Sequence, residues 1–365
     1  MAGANLESWV VRRGVAVVID GSAKIRDGLA AALASGYWPL DFADIADAVG
    51  RVRVPPAVVV LGAPASDNPL PVRSLRAAPA FREVPIVLWR RDGMVRDRAD
   101  AAPDAAGDAA SGGEGLRDVV ARLTSGVVEQ SWARLPEAPH LALQQSRAVC
   151  KDLARLVPAG RPLAFAAIAE SCRPLLAAVR NSEHRWVFEG LRGHDDFDYA
   201  HSVRMAALLG LFGMAAGLDD QELMTVVSGG FVHDAGMAAL PADLKTKVTR
   251  FSEEDRARMR GHVALTVDYL ERHTDTPRSM IAVAAEHHER LDGSGYPKGL
   301  HAGDLNDLSR MAAIVDVFAA LTEDRPYRAA MSGFQALEVM GELMAPRLDQ
   351  RLVRLFRTVL LDAAA

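Results

Sequence analysis

Apolar and polar positions along the chain follow two different rhythms. Three short apolar or β-branched runs predict buried parallel strands, at residues 15–20, 57–61 and 84–89, and a weaker run at residues 37–42 predicts a further strand. Stretches with a helical pattern lie among them, at residues 23–34 and 45–51. Strands that alternate with helices at this spacing predict a doubly wound α/β domain at the amino-terminal side.

The strand pattern weakens after the fourth run. Residues 100–115 consist mainly of alanine, glycine, aspartate and proline, which bury too little apolar surface to become ordered. We therefore expect a surface loop where the last strand of the domain would lie. Residues 116–135 regain a helical rhythm, either as the last helix of the domain or as a connector. The same rhythm continues over residues 141–191, with expected breaks at Pro158 and Pro174.

Beyond Leu191 the pattern is helical up to a glycine-rich loop. The periodic stretches cover residues 199–216, 220–235, 252–272 and 276–288. Ser252 precedes three acidic residues and resembles an N-cap, since acids in the first turn favour the helix dipole. An all-helical bundle of this kind can turn side chains from several helices toward one interior point.

Composition and charge narrow the function classes. The chain has 365 residues, 50% of them hydrophobic, so two separate cores are expected. A formal net charge of −5 with mixed signs argues against a general nucleic-acid or membrane-surface binder. The longest uncharged apolar stretch, residues 205–218, is too short to span a bilayer, and we expect no secretory signal. With Cys150 and Cys172 as the only cysteines, we expect a reducing cytoplasm and no disulfide framework.

The most informative segment runs from His287 to Leu300 and reads His-His-Glu-Arg-Leu-Asp-Gly-Ser-Gly-Tyr-Pro-Lys-Gly-Leu. Two adjacent imidazoles close an apolar helical stretch, and imidazole is the commonest biological metal ligand. Gly293, Gly295 and Gly299 allow the loop that follows to approach a ligand without Cβ interference. Metal ligands beside such a loop predict a catalytic metal site.

The paired histidines belong to a larger, ordered set of donors. Five histidines and two carboxylates make up that set: His201, His233, Asp234, His262, His287, His288 and Asp316. Seven donors are too many for one four-coordinate ion, but they suit two six-coordinate ions bridged by a carboxylate and completed by water. The remaining histidines are expected to be structural: His140, His184, His194, His273 and His301.

This donor set, the Gly-Tyr-Pro loop and the run from Asp316 to Arg328 resemble the HD-GYP family, the branch of the HD phosphohydrolases that opens cyclic di-GMP. The resemblance covers residues 175–360. It implies a metal-dependent phosphodiesterase with two iron or manganese ions per chain, and with pGpG, GMP or both as products. His233 and Asp234 would be the catalytic pair.

Carried over residue by residue, the resemblance also assigns ligands and substrate contacts. The first ion would be held by His201, His233, Asp234 and Asp316. The second ion would be held by Asp234, His262, His287 and His288. Arg325 and Arg328 would grip phosphate, because an arginine fork matches phosphate oxygens. Tyr296 would stack on a guanine or form a hydrogen bond with it.

Three positions depart from the family pattern. Met237 stands three residues after the His-Asp pair, where family members usually carry a lysine near the substrate phosphate. Ala319 replaces the second carboxylate of the run that begins at Asp316, and Phe197 stands where some members carry a glutamate for a third metal. We therefore expect two metals rather than three, and a slow enzyme.

The amino-terminal domain is similar to response-regulator receiver domains in the order and lengths of its elements. Its phosphorylation chemistry is missing. Gly62 occupies the place of the phospho-accepting aspartate, and Asp20 stands alone where an acidic cluster would hold magnesium. No lysine between Lys24 and Lys151 is available to neutralise an acyl phosphate. We expect a degenerate receiver-like domain without a phosphorylation site; a plain α/β docking domain with no signalling input is the alternative.

The predicted organisation is multidomain. An α/β receiver-like domain would cover residues 12–125, a helical linker residues 136–190, and an all-α HD-GYP bundle residues 191–362. Cyclic di-GMP is the expected ligand and the linker helices are a candidate homodimer contact, whereas nucleic acid and membrane are not expected partners.

Two other functions stay open at this stage. The protein could be a catalytically weak sensor or adaptor that binds cyclic di-GMP or a signalling protein such as a diguanylate cyclase. It could also hydrolyse another cyclic dinucleotide or a nucleotide phosphate, because the sequence does not specify the base directly.

Overall fold

The computed structural model describes residues 6–11, 13–62, 72–90, 101–245, 247, 249–272, 275–324 and 328–364. Within these ranges a parallel β-sheet with flanking helices occupies the amino-terminal side, and helices make up most of the rest. No helix in the described ranges combines the length and the apolar character that are needed to cross a membrane.

The described part of the sheet consists of β1 (Val15–Ile19), β2 (Trp38–Phe42), β3 (Val58–Gly62), β4 (Ile86–Arg90) and β5 (Ala105–Asp108). All neighbouring strands pair in parallel, in the order β2-β1-β3-β4-β5. This is the flavodoxin-like doubly wound order. Apolar clusters cover both faces of the sheet, so β1, β3 and β4 are buried as their β-branched runs predicted, whereas the edge strand β2 is largely exposed.

The expectation of a surface loop over residues 100–115 is wrong, because this segment forms β5 and begins a helix. β5 completes the ladder beside β4, with Val87 opposite Ala105 and Trp89 opposite Gly107. A Cβ atom at Gly107 would lie 2.4 Å from the Trp89 ring, so the indole covers the strand only because the strand residue is glycine. Composition alone does not predict this strand, because pairing with β4 and packing against Trp89 hold the segment in place.

Gly62 ends β3 at the carboxyl edge of the sheet. The side chain of the buried Asp20 fills the adjacent space, because a Cβ atom at Gly62 would lie 1.9 Å from Asp20 Oδ2. The backbone N–H of Ser22 donates a hydrogen bond to Asp20 Oδ1 at 2.7 Å. With Asp20 in this position, the carboxyl edge of the sheet has no room for a carboxylate side chain at position 62.

The described helices are α1 (Ala23–Leu33), α2 (Ile45–Arg51), α3 (Val72–Ala77), α4 (Gly112–Ser131), α5 (Glu137–Leu156), α6 (Phe165–Arg180), α7 (His184–Leu191), α8 (Phe197–Ala216), α9 (Asp220–Val232), α10 (Ala242–Lys245), α11 (Glu253–Glu271), α12 (Arg278–Glu286), α13 (Asp307–Leu321), α14 (Gly333–Gly341) and α15 (Gln350–Ala363). α4 packs on the sheet through Leu116 and Val120, so it is the last helix of the α/β part. Ser252 is the N-cap of α11, as predicted, and it also forms a capping box with Asp255.

α5 and α6, which the sequence pattern placed in a linker, share a core with the later helices. Leu143 and Ile168 belong to the same buried apolar cluster as Phe212 and Phe356. Pro174 does not break the helix as expected, since α6 continues through it. Packing of α6 against α5 and α9 outweighs the backbone hydrogen bond that proline removes.

The first described residues also pack into the helical core. Leu6 and Trp9 are each 2% exposed. The Trp9 ring stacks on His184 with centroids 6.0 Å apart, and it meets Phe188 edge-on at 5.0 Å. The chain therefore contributes to the helical part before it enters β1.

A short backbone pairing then ties the entry to β1 to the segment after α13. The Val11 N–H donates to the carbonyl of Thr322, and the Asp324 N–H donates to the carbonyl of Val11, both at 2.9 Å. Asp324 Oδ2 accepts hydrogen bonds from the backbone N–H of Arg13 at 2.8 Å and from Trp38 Nε1 at 3.3 Å. Asp324 thus links the sheet to the helices.

Candidate metal centre

The predicted donors come from five different helices or from the residues that follow them. In chain order they are His201 from α8, His233 and Asp234 from the end of α9, His262 from α11, His287 and His288 from the end of α12, and Asp316 from α13. Residues that are distant in sequence therefore converge at one point in the helical part.

His201, His233 and Asp316 form a first group, in which the donor atoms lie within 4.8 Å of one another. His201 Nε2 is 3.9 Å from Asp316 Oδ1, and the rings of His201 and His233 have centroids 5.2 Å apart. All three side chains are buried. The other oxygen of Asp316 lies 3.2 Å from His288 Nδ1, which connects this group to the second.

Asp234, His262, His287 and His288 form the second group, again with donor atoms within 4.8 Å of one another. Asp234 Oδ1 lies 3.0 Å from His262 Nε2 and 3.6 Å from His287 Nε2. Its Oδ2 lies 3.3 Å from His233 Nε2, so this carboxylate reaches both groups. The second group has the same members as the second ligand set expected from the sequence, whereas the first group lacks Asp234, which approaches it through His233. The role of each residue as a ligand stays a prediction.

Three histidine rings are oriented by the backbone of their own helix. The Nδ1 atoms of His233, His262 and His287 lie 2.7, 2.7 and 2.8 Å from the carbonyl oxygen three residues earlier. Nδ1 of a neutral ring therefore donates its proton to the backbone and directs Nε2 into the site as an acceptor. This is the tautomer in which imidazole binds a metal through Nε2.

The atoms that face the site lie close to one another, yet their hydrogen-bonding capacity is unused. Nε2 of His233, His262 and His287 and Oδ1 of Asp234 are buried, and none of them forms a hydrogen bond within the described part of the chain. An unsatisfied buried polar group costs about 1–3 kcal/mol, so four that converge need a common explanation. Imidazole nitrogens and carboxylate oxygens are ligands of divalent transition metals, and the arrangement fits such ions.

Electrostatic coupling within the site favours ionised carboxylates. Burial alone would lower the pKa of His233, but the Asp234 carboxylate and other acceptors raise this pKa to about 9. Burial and the neighbouring His288 lower the pKa of His287 well below its ordinary value, so its ring is neutral. Burial opposes ionisation of Asp316, but His288 and other imidazoles hold the pKa of that carboxyl far below its usual range.

A glycine after α9 allows the His-Asp pair to approach α11. A Cβ atom at Gly236 would lie 2.2 Å from the carbonyl oxygen of His262. The Gly236 N–H donates to Thr266 Oγ1 at 2.8 Å, and that hydroxyl donates to the His262 carbonyl at 2.9 Å. The short distance between Asp234 and His262 therefore depends on close backbone packing that a larger residue would disturb.

Glu323 lies behind His201 and was not identified by sequence reasoning. Both of its carboxylate oxygens are 3.2 Å from His201 Nδ1, and Oε1 accepts a hydrogen bond from Arg204 Nη1 at 2.8 Å. The buried Arg204 also donates to the carbonyl of Trp9. A carboxylate on the second nitrogen of a metal-binding histidine fixes its tautomer and orientation. Glu323 follows Asp316 by two helical turns, which is the signal that could have identified it.

Glu289, also absent from the predicted site, holds the glycine-rich loop from within. This buried carboxylate accepts hydrogen bonds from the backbone N–H groups of Lys298 at 2.7 Å and Leu300 at 3.0 Å. Gly293 has φ +76, a conformation that favours glycine. A Cβ atom at Gly295 would lie 2.4 Å from Cα of Glu289, so the loop closes tightly over this side chain.

Tyr296 extends from this loop toward the donors. Its ring centroid is 4.5 Å from that of His288, and the guanidinium of Arg260 lies over the Tyr296 ring at 4.9 Å. The side chain therefore lies beside the second donor group. Its expected contact with a guanine stays a prediction.

The two arginines expected at the substrate phosphate have different outcomes. Arg328 donates to the carbonyls of Ala320 and of Leu321, the latter at 3.2 Å, and so caps the end of α13. Its contact with a phosphate stays a prediction. Arg325 lies outside the described residues.

Two departures from the family pattern have visible structural consequences. The Phe197 ring stacks on His201 with centroids 6.0 Å apart, so an apolar ring packs where a further carboxylate was considered. The carbonyl of Ala319 lies 3.4 Å from Arg204 Nη1. Glu323, one turn later, provides the carboxylate that pairs with this arginine.

The part of the chain that carries these donors is similar in sequence to known proteins. A family model described as HD domain matches residues 188–352, which include all seven predicted donors. The chain is 31% identical over 152 residues to a cyclic di-GMP phosphodiesterase of Pseudomonas aeruginosa, covering 42% of this chain and 37% of that protein. It is 33% identical over 156 residues to a 3'3'-cGAMP-specific phosphodiesterase of Vibrio cholerae, covering 42% and 36%. The matches thus span little more than a third of either relative.

Another relative aligns along most of the chain. The cyclic di-GMP phosphodiesterase response regulator RpfG of Xanthomonas campestris pv. campestris is 28% identical over 333 residues, covering 86% of this chain and 79% of that protein. An alignment of this length includes residues of the parallel sheet as well as the helices.

Proposed function

We propose that this chain, whose residues 188–352 match a family model described as HD domain, is a metal-dependent phosphodiesterase that hydrolyses cyclic di-GMP to pGpG, GMP or both. One observation carries the proposal: the Asp234 carboxylate lies between two groups of histidines, within 3.6 Å of a ring nitrogen from His233, His262 and His287. This arrangement suits a carboxylate that bridges two ions. The relatives named as cyclic di-GMP phosphodiesterases support the substrate.

We assign two divalent transition-metal ions, iron or manganese, to these groups. His201, His233, Asp234 and Asp316 would hold the first ion. Asp234, His262, His287 and His288 would hold the second. Bound ions supply Lewis-acid polarisation of the phosphodiester and activation of water near neutral pH.

The residues of the chain itself hold and orient this centre. Backbone carbonyls accept the Nδ1 protons of His233, His262 and His287, so each ring presents a fixed nitrogen. Glu323 does the same for His201 from the opposite side. Because the donors are positioned before substrate binds, little reorganisation is needed during the reaction.

Substrate contacts are proposed for the residues around the donors. Tyr296, beside His288, is placed to stack on a base. Arg325 and Arg328 are proposed to contact phosphate, with Arg328 releasing its helix-capping contact or using its remaining N–H groups. The domain limits of 12–125, 136–190 and 191–362 for the receiver-like, connecting and catalytic parts stay a proposal, in which α5 and α6 of the connecting part share a core with the catalytic helices.

The α/β part is proposed to be a degenerate receiver-like domain. Its strand order and the long alignment with a response regulator support this assignment. Gly62, packed against Asp20, has no carboxylate to accept a phosphoryl group. Control of the enzyme, if it passes through this domain, would use protein contacts. A homodimer through residues 136–190 and a signalling partner such as a diguanylate cyclase stay predictions.

A second candidate activity is hydrolysis of 3'3'-cGAMP. Vibrio cholerae proteins that are named as 3'3'-cGAMP-specific phosphodiesterases match this chain with 29–34% identity. The two substrates share the cyclic phosphodiester backbone and differ in one base, so donor groups that act on the phosphodiester do not by themselves distinguish them. A weak sensor or adaptor that binds the nucleotide is the alternative to either enzyme.

The test is a turnover assay with protein loaded anaerobically with iron or with manganese. Cyclic di-GMP and 3'3'-cGAMP would be supplied separately, and products separated by chromatography. We expect faster hydrolysis of cyclic di-GMP, and no hydrolysis of either substrate by the Asp234→Asn variant. Faster hydrolysis of 3'3'-cGAMP would shift the assignment to the second candidate. Binding without hydrolysis by metal-replete protein would identify the adaptor.

A further inference from the structure

A recess of about 200 Å³ opens beside Asp234. Its wall includes Met237, which follows α9, and Lys245, which ends α10. Asp196 and Asp198 contribute from the start of α8. In the described lining of the recess Lys245 is the one basic side chain, and it lies on the same recess as the carboxylate proposed to bridge the ions.

The Lys245 side chain does not hold any described part of the fold together. Its side chain is exposed, and it forms no hydrogen bond or close ion pair within the part of the chain that the structure describes. Lys247, only two residues later, differs in this respect, because its ammonium lies 2.5 Å from Asp255 Oδ2 at the start of α11. One lysine of the segment stabilises a helix start, and the other is available to a ligand.

The other charges around the recess explain why a cation there matters. Asp196 is paired with Arg147, whose Nη1 lies 2.5 Å from Asp196 Oδ2. Asp198 has an electrostatic interaction with Lys245. A phosphodiester that approached Asp234 through this recess without Lys245 would meet carboxylates, and like charges at short range repel.

We propose that Lys245 contacts a non-bridging phosphate oxygen of the substrate and supplies the positive charge that Met237 does not. The inference rests on the proposed function. An ammonium on a flexible four-carbon stem carries three donors and can follow a phosphate as charge builds on it. A preorganised donor is worth about 10²- to 10³-fold in turnover, and an exposed one less. We therefore expect Lys245→Met to lower kcat/KM about tenfold to a hundredfold.

The first experiment compares Lys245→Met and Lys245→Arg with Lys151→Met. Lys151 is a matched control, since it is exposed on α5, pairs with Glu129 at 3.6 Å and does not line the recess. With equal metal content and equal Tm, Lys245→Met should lose activity on cyclic di-GMP, Lys245→Arg should retain most of it, and Lys151→Met should match wild type. The salt dependence of kcat/KM should also weaken in Lys245→Met, because one phosphate contact is gone.

A second experiment separates a substrate contact from simple neutralisation of Asp198. Met237→Lys should restore most of the kcat/KM lost in Lys245→Met, since both positions face one recess. If Asp198→Asn restored the kcat/KM of Lys245→Met and Met237→Lys did not, the proposal would be overturned. Lys245 would then act only by neutralising Asp198. Unchanged kcat/KM in metal-replete Lys245→Met would overturn it outright.

A third measurement keeps the inference distinct from the proposed function. Calorimetry would follow binding of inorganic phosphate to metal-loaded wild type, Lys245→Met and Lys151→Met. Weaker phosphate binding in Lys245→Met alone supports the contact even if cyclic di-GMP is not hydrolysed, in which case only the proposed substrate fails. Equal phosphate affinity in all three proteins counts against Lys245 whatever the substrate is.

Discussion

The carboxylate of Glu323 lies 3.2 Å from Nδ1 of His201, on the side of the ring opposite the donor group that contains Asp316. Arg204 neutralises this buried carboxylate, and the backbone at Trp9 in turn accepts a hydrogen bond from Arg204. The orientation of one proposed metal ligand therefore depends on a contact with the amino-terminal segment of the chain.

Removing this carboxylate should weaken the first metal site. Glu323→Ala is expected to lower affinity for one ion about 10- to 100-fold, because His201 loses the partner that fixes its orientation. Glu323→Gln, whose amide oxygen can still accept from Nδ1, should have a smaller effect. Metal titration followed by elemental analysis measures both, with the exposed Glu338→Gln as control. Equal loss of both ions in Glu323→Ala would contradict the assignment to one site.

Replacing Asp234 should affect both sites at once. Asp234→Ala is expected to abolish hydrolysis and reduce bound metal from two ions to none, since one carboxylate reaches both donor groups. Asp268→Ala, at an exposed position of α11 paired with Arg272, serves as the control. Retention of one tightly bound ion, or near-normal activity, would show that Asp234 is not the bridge.

Metal binding should release protons from the site. In the metal-free protein the pKa of His233 is about 9, because the Asp234 carboxylate raises this pKa more than burial lowers it. The ring is therefore protonated at pH 7.5. A metal needs the neutral ring, and we expect release of about one proton per chain at pH 7.5 and less above pH 9. Calorimetric titration in two buffers of different ionisation enthalpy counts these protons. Uptake without proton release would show that His233 is not a ligand.

The same shift predicts how the metal-free protein responds to pH. A folded-state pKa above the ordinary value of 6.5 gives a stabilising contribution that is fully present below pH 6.5 and is lost as pH rises through about 9. The Tm difference between wild type and His233→Asn, both without metal, should therefore shrink over this interval. A difference that is constant from pH 6 to pH 9 would exclude the raised pKa.

The α/β part should not accept a phosphoryl group. Gly62 has no carboxylate, so incubation with acetyl phosphate should leave no hydroxylamine-labile label on this part of the protein. Gly62→Asp should destabilise the protein rather than create an acceptor, because its Cβ would lie 1.9 Å from Asp20 Oδ2. Stoichiometric hydroxylamine-labile labelling of wild type, located to Asp20 or Asp67 by peptide mapping, would refute this prediction.

The amino-terminal segment should stabilise the helical part. Trp9 is 2% exposed and packs against His184 and Phe188, so Trp9→Ala is expected to cost about 3–5 kcal/mol in the free energy of unfolding. Trp186, which is 38% exposed on α7, provides a matched control with an expected loss below about 1 kcal/mol. Denaturant unfolding measures both. Equal losses would mean that the contacts of Trp9 contribute little.

The sequence by itself determined the features that depend on local rhythm and on residue type. The β-branched runs predicted β1, β3 and β4, because a strand that is buried on both faces needs apolar residues at nearly every position. Ser252, followed by three acidic residues, predicted the start of α11. The ordered set of histidines and carboxylates could be recognised without a structure, since few other residue types serve as metal ligands.

Only the tertiary structure decided the features that depend on contacts with residues distant in sequence. β5 is a strand because β4 lies beside it and Trp89 covers Gly107, although its own residues favour no strand. Glu323 orients His201 because the end of α13 packs beside α8, and only the fold brings Lys245 into the recess beside Asp234. Burial and electrostatic pairing are properties of surroundings, and a pattern along one segment does not contain them.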